Sequence, residues 1–161
     1  MRIWIDADAC PREISELLLR TSQRRQISVV RIANRRIAAH PSSLIEAVRV
    51  DGGFDAADRY IAEHVASGDL VITADVPLAA AIVERGALGL SPRGEIFDAG
   101  NVGDKRAMRD LMAGLRATGV VEGGPAAPTP TDRRRFADAL DRLLTRLARA
   151  RATKGSSPPP A

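Results

Sequence analysis

Apolar residues along this chain follow two alternating patterns: short unbroken runs, read as buried strands, and longer stretches with apolar positions every three or four residues, read as amphipathic helices. Arg2-Ile3-Trp4-Ile5 is the first run. Pro11 to about Arg24 reads as a helix, with Ile14, Leu17, Leu18 and Thr21 on one face, Pro11 in the first turn, and Glu13 and Glu16 near its positive end. Ile27 to Ile32 is a second strand, followed by an irregular Ala33-Asn34-Arg35-Arg36 and a loop through His40-Pro41-Ser42-Ser43. Ala47 to Val50 reads as a short third strand that turns at Asp51-Gly52-Gly53. Asp55 to about Ala66 then reads as a helix, with Phe54, Ala57, Ile61 and Val65 at helical spacing. The clearest strand is Asp69-Leu70-Val71-Ile72-Thr73-Ala74-Asp75; Pro77 opens a helix to about Arg85, Gly86 closes it, and Ala87 to Leu90 adds a further strand.

Pro92-Arg93-Gly94 is a turn, Glu95 to Asp98 an edge strand, Val102 to Thr118 a helix, and Gly119 to Pro128 a loop. Thr129-Pro130-Thr131-Asp132 has the signature of a helix start: a capping hydroxyl, a proline at the first position and an acid three residues after the cap. The helix it opens carries Phe136, Leu140, Leu143, Leu144 and Leu147 as one apolar stripe, which predicts docking on the body with the arginines outward. Strand and helix alternate throughout, so the expected fold is α/β: a single three-layer domain over residues 1–150, with a mainly parallel central sheet flanked by helices and an amphipathic C-terminal helix. Residues 151–161, ending Gly-Ser-Ser-Pro-Pro-Pro-Ala, are expected to be a disordered tail.

Composition narrows the chemistry. No apolar run approaches the roughly 18 residues of a membrane span, and the chain opens on a strand rather than a secretory leader, so no membrane association and a cytoplasmic location are expected. One cysteine and two histidines supply no zinc-type cluster, and any metal would be held by oxygen. The net charge of +4 is uneven: from Thr131 onward seven Arg and one Lys face three Asp. Arg20, Arg24, Arg25, Arg31, Arg35 and Arg36 lie between Glu16 and Glu46 with no acid among them. Against a functional role stands a simple bias, since 22 of the 24 basic residues are Arg.

Asp6, Asp8, Asp58 and Asp75 come from separate segments, yet each is predicted at the edge where parallel strands end and ligands of open α/β sheets bind. Asp55 and Asp58 are three apart on one helix; Asp55 suits a cap, whereas Asp58 lies too far inside to cap and is the better ligand, leaving Asp55 a secondary acidic candidate. Carboxylates gathered this way repel unless a divalent cation neutralises them, and Mg²⁺ or Mn²⁺ fits an all-oxygen shell. Asn34, Arg35, Arg36 and Thr73 sit just past or at strand ends, where they are candidates to hold substrate phosphate. With five aromatic residues in the chain, a base-reading nucleic-acid surface is not expected.

Asp6-Ala7-Asp8-Ala9-Cys10-Pro11, Ala33-Asn34, Asp55-Ala56-Ala57-Asp58, Thr73-Ala74-Asp75-Val76-Pro77-Leu78-Ala79 and Pro92-Arg93-Gly94 resemble, in order, the YaiI/YqxD family of functionally uncharacterised bacterial proteins, up to about Leu144. That family is itself similar to PIN-like domains, whose usual activity is metal-dependent RNA cleavage. The resemblance implies a metal-binding set at Asp6, Asp58 and Asp75, Asp8 binding the ion or orienting its water, and RNA as partner. The further acid that PIN nucleases carry early in the chain has Glu46 as its nearest counterpart, and the aromatic residue the family tends to have before its last helix is Pro128 here.

Three other readings compete. The acids and the basic helix could form a non-catalytic module for nucleic acid or a phosphorylated ligand. An apolar strand followed by Asp-x-Asp also resembles haloacid-dehalogenase-type phosphatases, with Asp6 as nucleophile; Ala9-Cys10-Pro11 departs from that motif, and Lys105 is the one lysine placed to complete it. Cys10 at a helix start could act as a low-pKa nucleophile, although no histidine lies near it in sequence. No residue specifies an oligomeric state or a preferred RNA.

Overall fold

Ile3, Trp4 and Ile5 are all buried, so strand β1 (Arg2–Asp6) has to be covered on both faces. In the computed structural model, which describes residues 1–53, 55–120 and 126–155, this is achieved by placing β1 inside a six-stranded sheet with helices on either side. The elements run α1 (Arg12–Arg25), β2 (Ser28–Ala33), β3 (Ile45–Arg49), α2 (Ala56–His64), β4 (Leu70–Ile72), α3 (Val76–Glu84), β5 (Leu88–Leu90), β6 (Ile96–Phe97), α4 (Val102–Ala117) and α5 (Pro130–Gly155). Strand order is β3-β2-β1-β4-β5-β6; all pairings are parallel except β5 with β6, which is antiparallel at the edge.

Alternation along each strand sorts the core into two layers. Ile3, Ile5, Val29, Leu70 and Ile72 meet Ile14 and Leu18 of α1 and Phe136, Leu140, Leu143 and Leu144 of α5. Trp4, Val30, Ile32 and Val71 meet Ala57 and Ile61 of α2 and Leu78 and Ile82 of α3. The expected three-layer α/β architecture is therefore the observed one. Among the described residues no helix is long and apolar enough to cross a membrane.

Several boundaries differ from the sequence reading for local reasons. The strand expected over Asp69 to Asp75 is only Leu70–Ile72 long, because Asp69 is an anchor and Thr73 to Asp75 turn the chain into α3. The third strand begins at Ile45, two residues before the expected Ala47, since Val29 to Ala33 of β2 offer it five paired positions. Phe54, read as part of the α2 apolar face, lies outside the described residues, as do residues 121–125 of the expected loop. The start of α5 is a reciprocal cap: Thr129 N donates to Asp132 Oδ2 at 2.9 Å and Asp132 N donates to Thr129 Oγ1 at 3.1 Å. The Thr129 backbone N–H first, then the Thr129 hydroxyl, with the Arg93 and Arg135 charges behind them, hold the Asp132 carboxyl below its ordinary range. Helix α5 runs through the boundary drawn at residue 150 to Gly155, and residues 156–161 of the expected tail lie outside the described residues.

Asp69, 4% exposed, ties the opposite edge of the sheet together. Its Oδ1 accepts from Arg2 N at 2.8 Å, and its Oδ2 accepts from Trp4 Nε1 at 2.9 Å and Ala66 N at 3.1 Å. Asp69→Ala strands three donors and is expected to cost about 2–4 kcal/mol, lowering Tm by roughly 5–15 °C, while Asp69→Asn loses less. Circular-dichroism melts check this, and an alanine variant melting with wild type would show that water replaces the carboxylate freely.

Candidate active site

The order β3-β2-β1 on one side and β4-β5 on the other makes the junction of β1 and β4 a topological switch point, with a crevice outside the strands' carboxyl ends. Asp6 ends β1, and Thr73 to Asp75 follow β4, so both flanks of that crevice carry acid. Asp6 Oδ1 accepts from the backbone N–H of Asp8 at 2.9 Å and of Ala9 at 3.2 Å, turning the chain toward α1. On the other flank the Asp75 Oδ1 caps α3, accepting from Leu78 N at 2.7 Å, and the nearly buried Thr73 hydroxyl accepts from Asp75 N at 2.9 Å.

The third arm comes from α2. Asp55 occupies its N-cap position, as expected, but with a left-handed backbone (φ 66°) and no side-chain cap, so its carboxylate is not spent on the helix end. Asp58 follows in the first turn. Asp8, Asn34 and the loop before α2 are laced together: Asp8 Oδ2 accepts from Asn34 N at 2.7 Å, and Asn34 Nδ2 donates to Gly53 O at 3.1 Å.

These segments enclose an open cleft of about 760 Å³ into which Asp6, Asp8, Asp55, Asp58 and Asp75 all face, with Asn34 and Thr73 beside them. Burial first, and then the charges of Asp75, Asp6 and Asp55, in that order, together raise the Asp58 carboxyl to about 6. Asp58 therefore faces three neighbouring carboxylates with no ion pair of its own among the described residues. Among the described residues, however, no three His, Cys, Asp or Glu side chains already surround one point as an ion would require. The hydrogen bonds explain why: one oxygen each of Asp6 and Asp75, and both of Asp8, are engaged by the protein.

Two expected substrate groups are placed elsewhere. Arg35 is committed to Asp8, its Nε donating to Oδ1 at 2.8 Å, and neither it nor the exposed Arg36 lines the cleft. Glu46 is exposed on β3, away from the cleft. Two arginines that sequence reasoning missed do line it: Arg59, next to Asp58 on α2, and Arg109 of α4. The position of Arg59 after Asp58 was a usable signal; nothing in the sequence ties Arg109 to this edge. Cys10 also lines the cleft, but burial, reinforced by Asp6, pushes its thiol up to about 12, the reverse of an activated nucleophile.

Comparison with known proteins agrees on one family. A family model described as "Uncharacterized BCR, YaiI/YqxD family" matches residues 4–146. The UPF0178 protein of Geobacter metallireducens is 56% identical over 149 residues, covering 92% of this chain and 96% of that protein. That of Trichlorobacter lovleyi is also 56% identical over 149 residues, at 92% and 97% coverage, and that of Saccharophagus degradans 51% over 146 residues, at 91% and 97%. No solved structure matches the chain.

The raised Asp58 pKa has a signed consequence for stability. Between its ordinary value of 3.8 and about 6 the folded protein holds a proton that the unfolded chain has released, so stability falls as pH rises through that window and the penalty is complete above it. Asp58→Asn removes the charge and is expected to raise Tm at pH 7.5 in a chelating buffer, with the gain vanishing near pH 4. Melting curves at both pH values decide it; a gain of equal size at pH 4 would mean that packing, not repulsion, sets the difference.

Proposed function

We propose that this chain, which belongs to the YaiI/YqxD family, is a divalent-cation-dependent phosphodiester hydrolase acting on RNA through the acidic cleft at the β1/β4 switch point. The observation that carries the reading is the convergence of Asp6, Asp55, Asp58 and Asp75, from three chain segments, on one cleft, where burial and then the charges of the other three raise the Asp58 carboxyl. Repulsion of that kind is stabilised by a hard dication, and the donor set is oxygen only, so the residues fit Mg²⁺ or Mn²⁺. Asp58 with the second oxygens of Asp6 and Asp75 would hold the ion. When bound, such an ion supplies a hydroxide at neutral pH and neutralises charge on the phosphate.

The remaining residues have distinct work. Asp8, locked between Asn34 N and Arg35, is a positioning residue that fixes the loop after β2 against the Asp6 turn. Thr73, through Asp75 N, sets the orientation of the α3 cap and its carboxylate. Among the described residues Arg59 and Arg109, the latter also 3.1 Å from Asp110, are the cations lining the cleft, and they take over the phosphate contact first assigned to Arg35 and Arg36, with Asn34 at the same rim. The PIN-type spacing of Asp6, Asp58 and Asp75 agrees with this division.

Binding without turnover is the second reading, favoured by one observation: no three donors are already gathered around a point among the described residues. The phosphatase reading is weaker. Asp8, its acid, accepts hydrogen bonds on both oxygens, and Lys105 is paired with Glu95 at 3.5 Å and does not line the cleft.

The test is cleavage of a pool of single-stranded and structured RNA with Mn²⁺ or Mg²⁺. Asp6→Asn keeps an acceptor for the Asp8 and Ala9 amides and should fold, yet lose on the order of 100-fold or more in rate. Cleavage by wild type alone supports a nuclease; no cleavage by either form favours the binding module, and equal cleavage by both exposes a contaminant.

A further inference from the structure

The acidic cleft leaves unexplained the most basic element of the chain. Helix α5 buries Phe136, Ala139, Leu140, Leu143 and Leu144 and turns Arg135, Arg142, Arg146 and Arg149 to solvent. These four recur at seven, four and three residues, which at 3.6 residues per turn draws one stripe about 21 Å long. Among the described residues the Arg142, Arg146 and Arg149 side chains make no ion pair or hydrogen bond, whereas Arg12, Arg25, Arg93 and Arg133 each have an acidic partner. Of the two acids nearby, Asp141 is taken by Arg25 of α1, and Asp138, in line between Arg135 and Arg142, offsets part of the charge at the start of the stripe and leaves Arg142, Arg146 and Arg149 as its uncompensated run. Like charges at Arg142/Arg146 and Arg146/Arg149 repel along one helix face, a cost that an external polyanion would remove. A shallow groove of about 380 Å³ runs along this face between Asp141, Arg142, Thr145, Arg146 and Arg149.

The stripe begins beside the cleft. Pro92 lines the cleft, and its turn presses on the first turns of α5 at Gly94, where an added Cβ would lie 2.7 Å from the Arg135 carbonyl carbon and 2.8 Å from Phe136 N. Gly94 also has φ 85°, so glycine is needed there twice over. Arg93, in the same turn, is 3.5 Å from Asp132, in the first turn of α5. From that junction α5 descends to the opposite edge of the sheet, where Ala148, Arg151 and Ala152 meet Met1 and Ile27. A negatively charged strand leaving the cleft over the Pro92 turn thus meets Arg135 and, past Asp138, Arg142, Arg146 and Arg149 in succession.

We infer that the solvent face of α5 is a track for single-stranded RNA, holding the phosphates of the strand that leaves the acidic cleft. The contacts are sequence-independent, since the stripe offers charge and no aromatic platform for bases. The inference rests on the RNA reading of the cleft for its ligand, but its test needs no catalysis. Fluorescence anisotropy of a labelled, unstructured 20-nucleotide RNA is titrated with the full chain in EDTA across a series of KCl concentrations. Arg142→Glu/Arg146→Glu/Arg149→Glu should weaken binding at least about tenfold at 0.1 M KCl and flatten the logarithmic salt slope by about 2, at roughly 0.7 per lost phosphate contact. The matching Arg→Gln triple variant should fall between, and melting curves confirm that all three proteins are folded. RNA binding and a salt slope unchanged in both triple variants would overturn the track, as would binding of anionic phosphatidylglycerol vesicles that depends on the stripe while RNA binding does not. Loss of binding in the triple variants upholds the track even if no RNA is ever cleaved, and cleavage with a dispensable stripe removes the track alone.

Discussion

Burial of β1 on both faces is the constraint from which the rest of the molecule follows. A strand reading Ile-Trp-Ile with no polar face cannot sit at a sheet edge, so it must be flanked by parallel neighbours and capped by helices above and below. Parallel neighbours require crossovers, and crossovers bring β1 to β5 back running the same way. Their carboxyl ends consequently share one edge. That is why Asp6, Asn34 and Asp75, each placed at or just after a strand, meet although up to 69 positions separate them in the chain. Asp69 does complementary work at the other edge, holding the start of β1 to the loop before β4. With that edge fixed, the strands cannot slip in register and the acidic ends stay level.

The acidic edge is electrostatically unfavourable, and the fold manages this in two ways. Asp6 and Asp75 are stabilised by backbone amides at a turn and a helix start, contacts that any carboxylate in those positions would make. Asp8 is neutralised by Arg35. Asp58 has neither device, and its displaced pKa records what is left over. A structural role alone does not account for Asp58: it caps nothing, pairs with nothing among the described residues, and faces a cleft. Groups that cost stability and face solvent-filled crevices are the ones that function explains better than folding does.

Much of this was legible in the sequence because strands and acids are read by local pattern. The run Leu70-Val71-Ile72 identifies itself, and an Asp shortly after such a run lands at the carboxyl edge of the sheet whatever the details of the loop. What was not legible depends on contacts between distant residues. Arg35 appeared free to hold phosphate until Asp8, 27 positions away, took its guanidinium. Arg109 appeared to be an ordinary surface residue until α4 packed beside α3 and carried it to the cleft. Asp69 read as the first residue of a strand, whereas its buried carboxylate bonds groups up to 67 positions away. Asp75 is a mixed case, since its capping role follows from Pro77 two residues later and could have been read locally.

Helix α5 joins the two halves of the argument. Its apolar stripe is indispensable to the core, with Phe136 and Leu144 fully buried against the face of the sheet that carries Ile3 and Ile5. Its polar face could have been neutral, because packing decides nothing on that side. Seven Arg and one Lys against three Asp from Thr131 onward make it strongly cationic instead. Because the same helix is pinned to the Pro92-Arg93-Gly94 turn at the cleft, its charge is held in a fixed direction relative to the acids rather than carried on a loose tail. Under the proposed function, a rigid positive rail beside a negative cleft separates two tasks that would conflict in one place: cations would hold the polyanion at a distance, and carboxylates would remain available where its backbone is to be attacked.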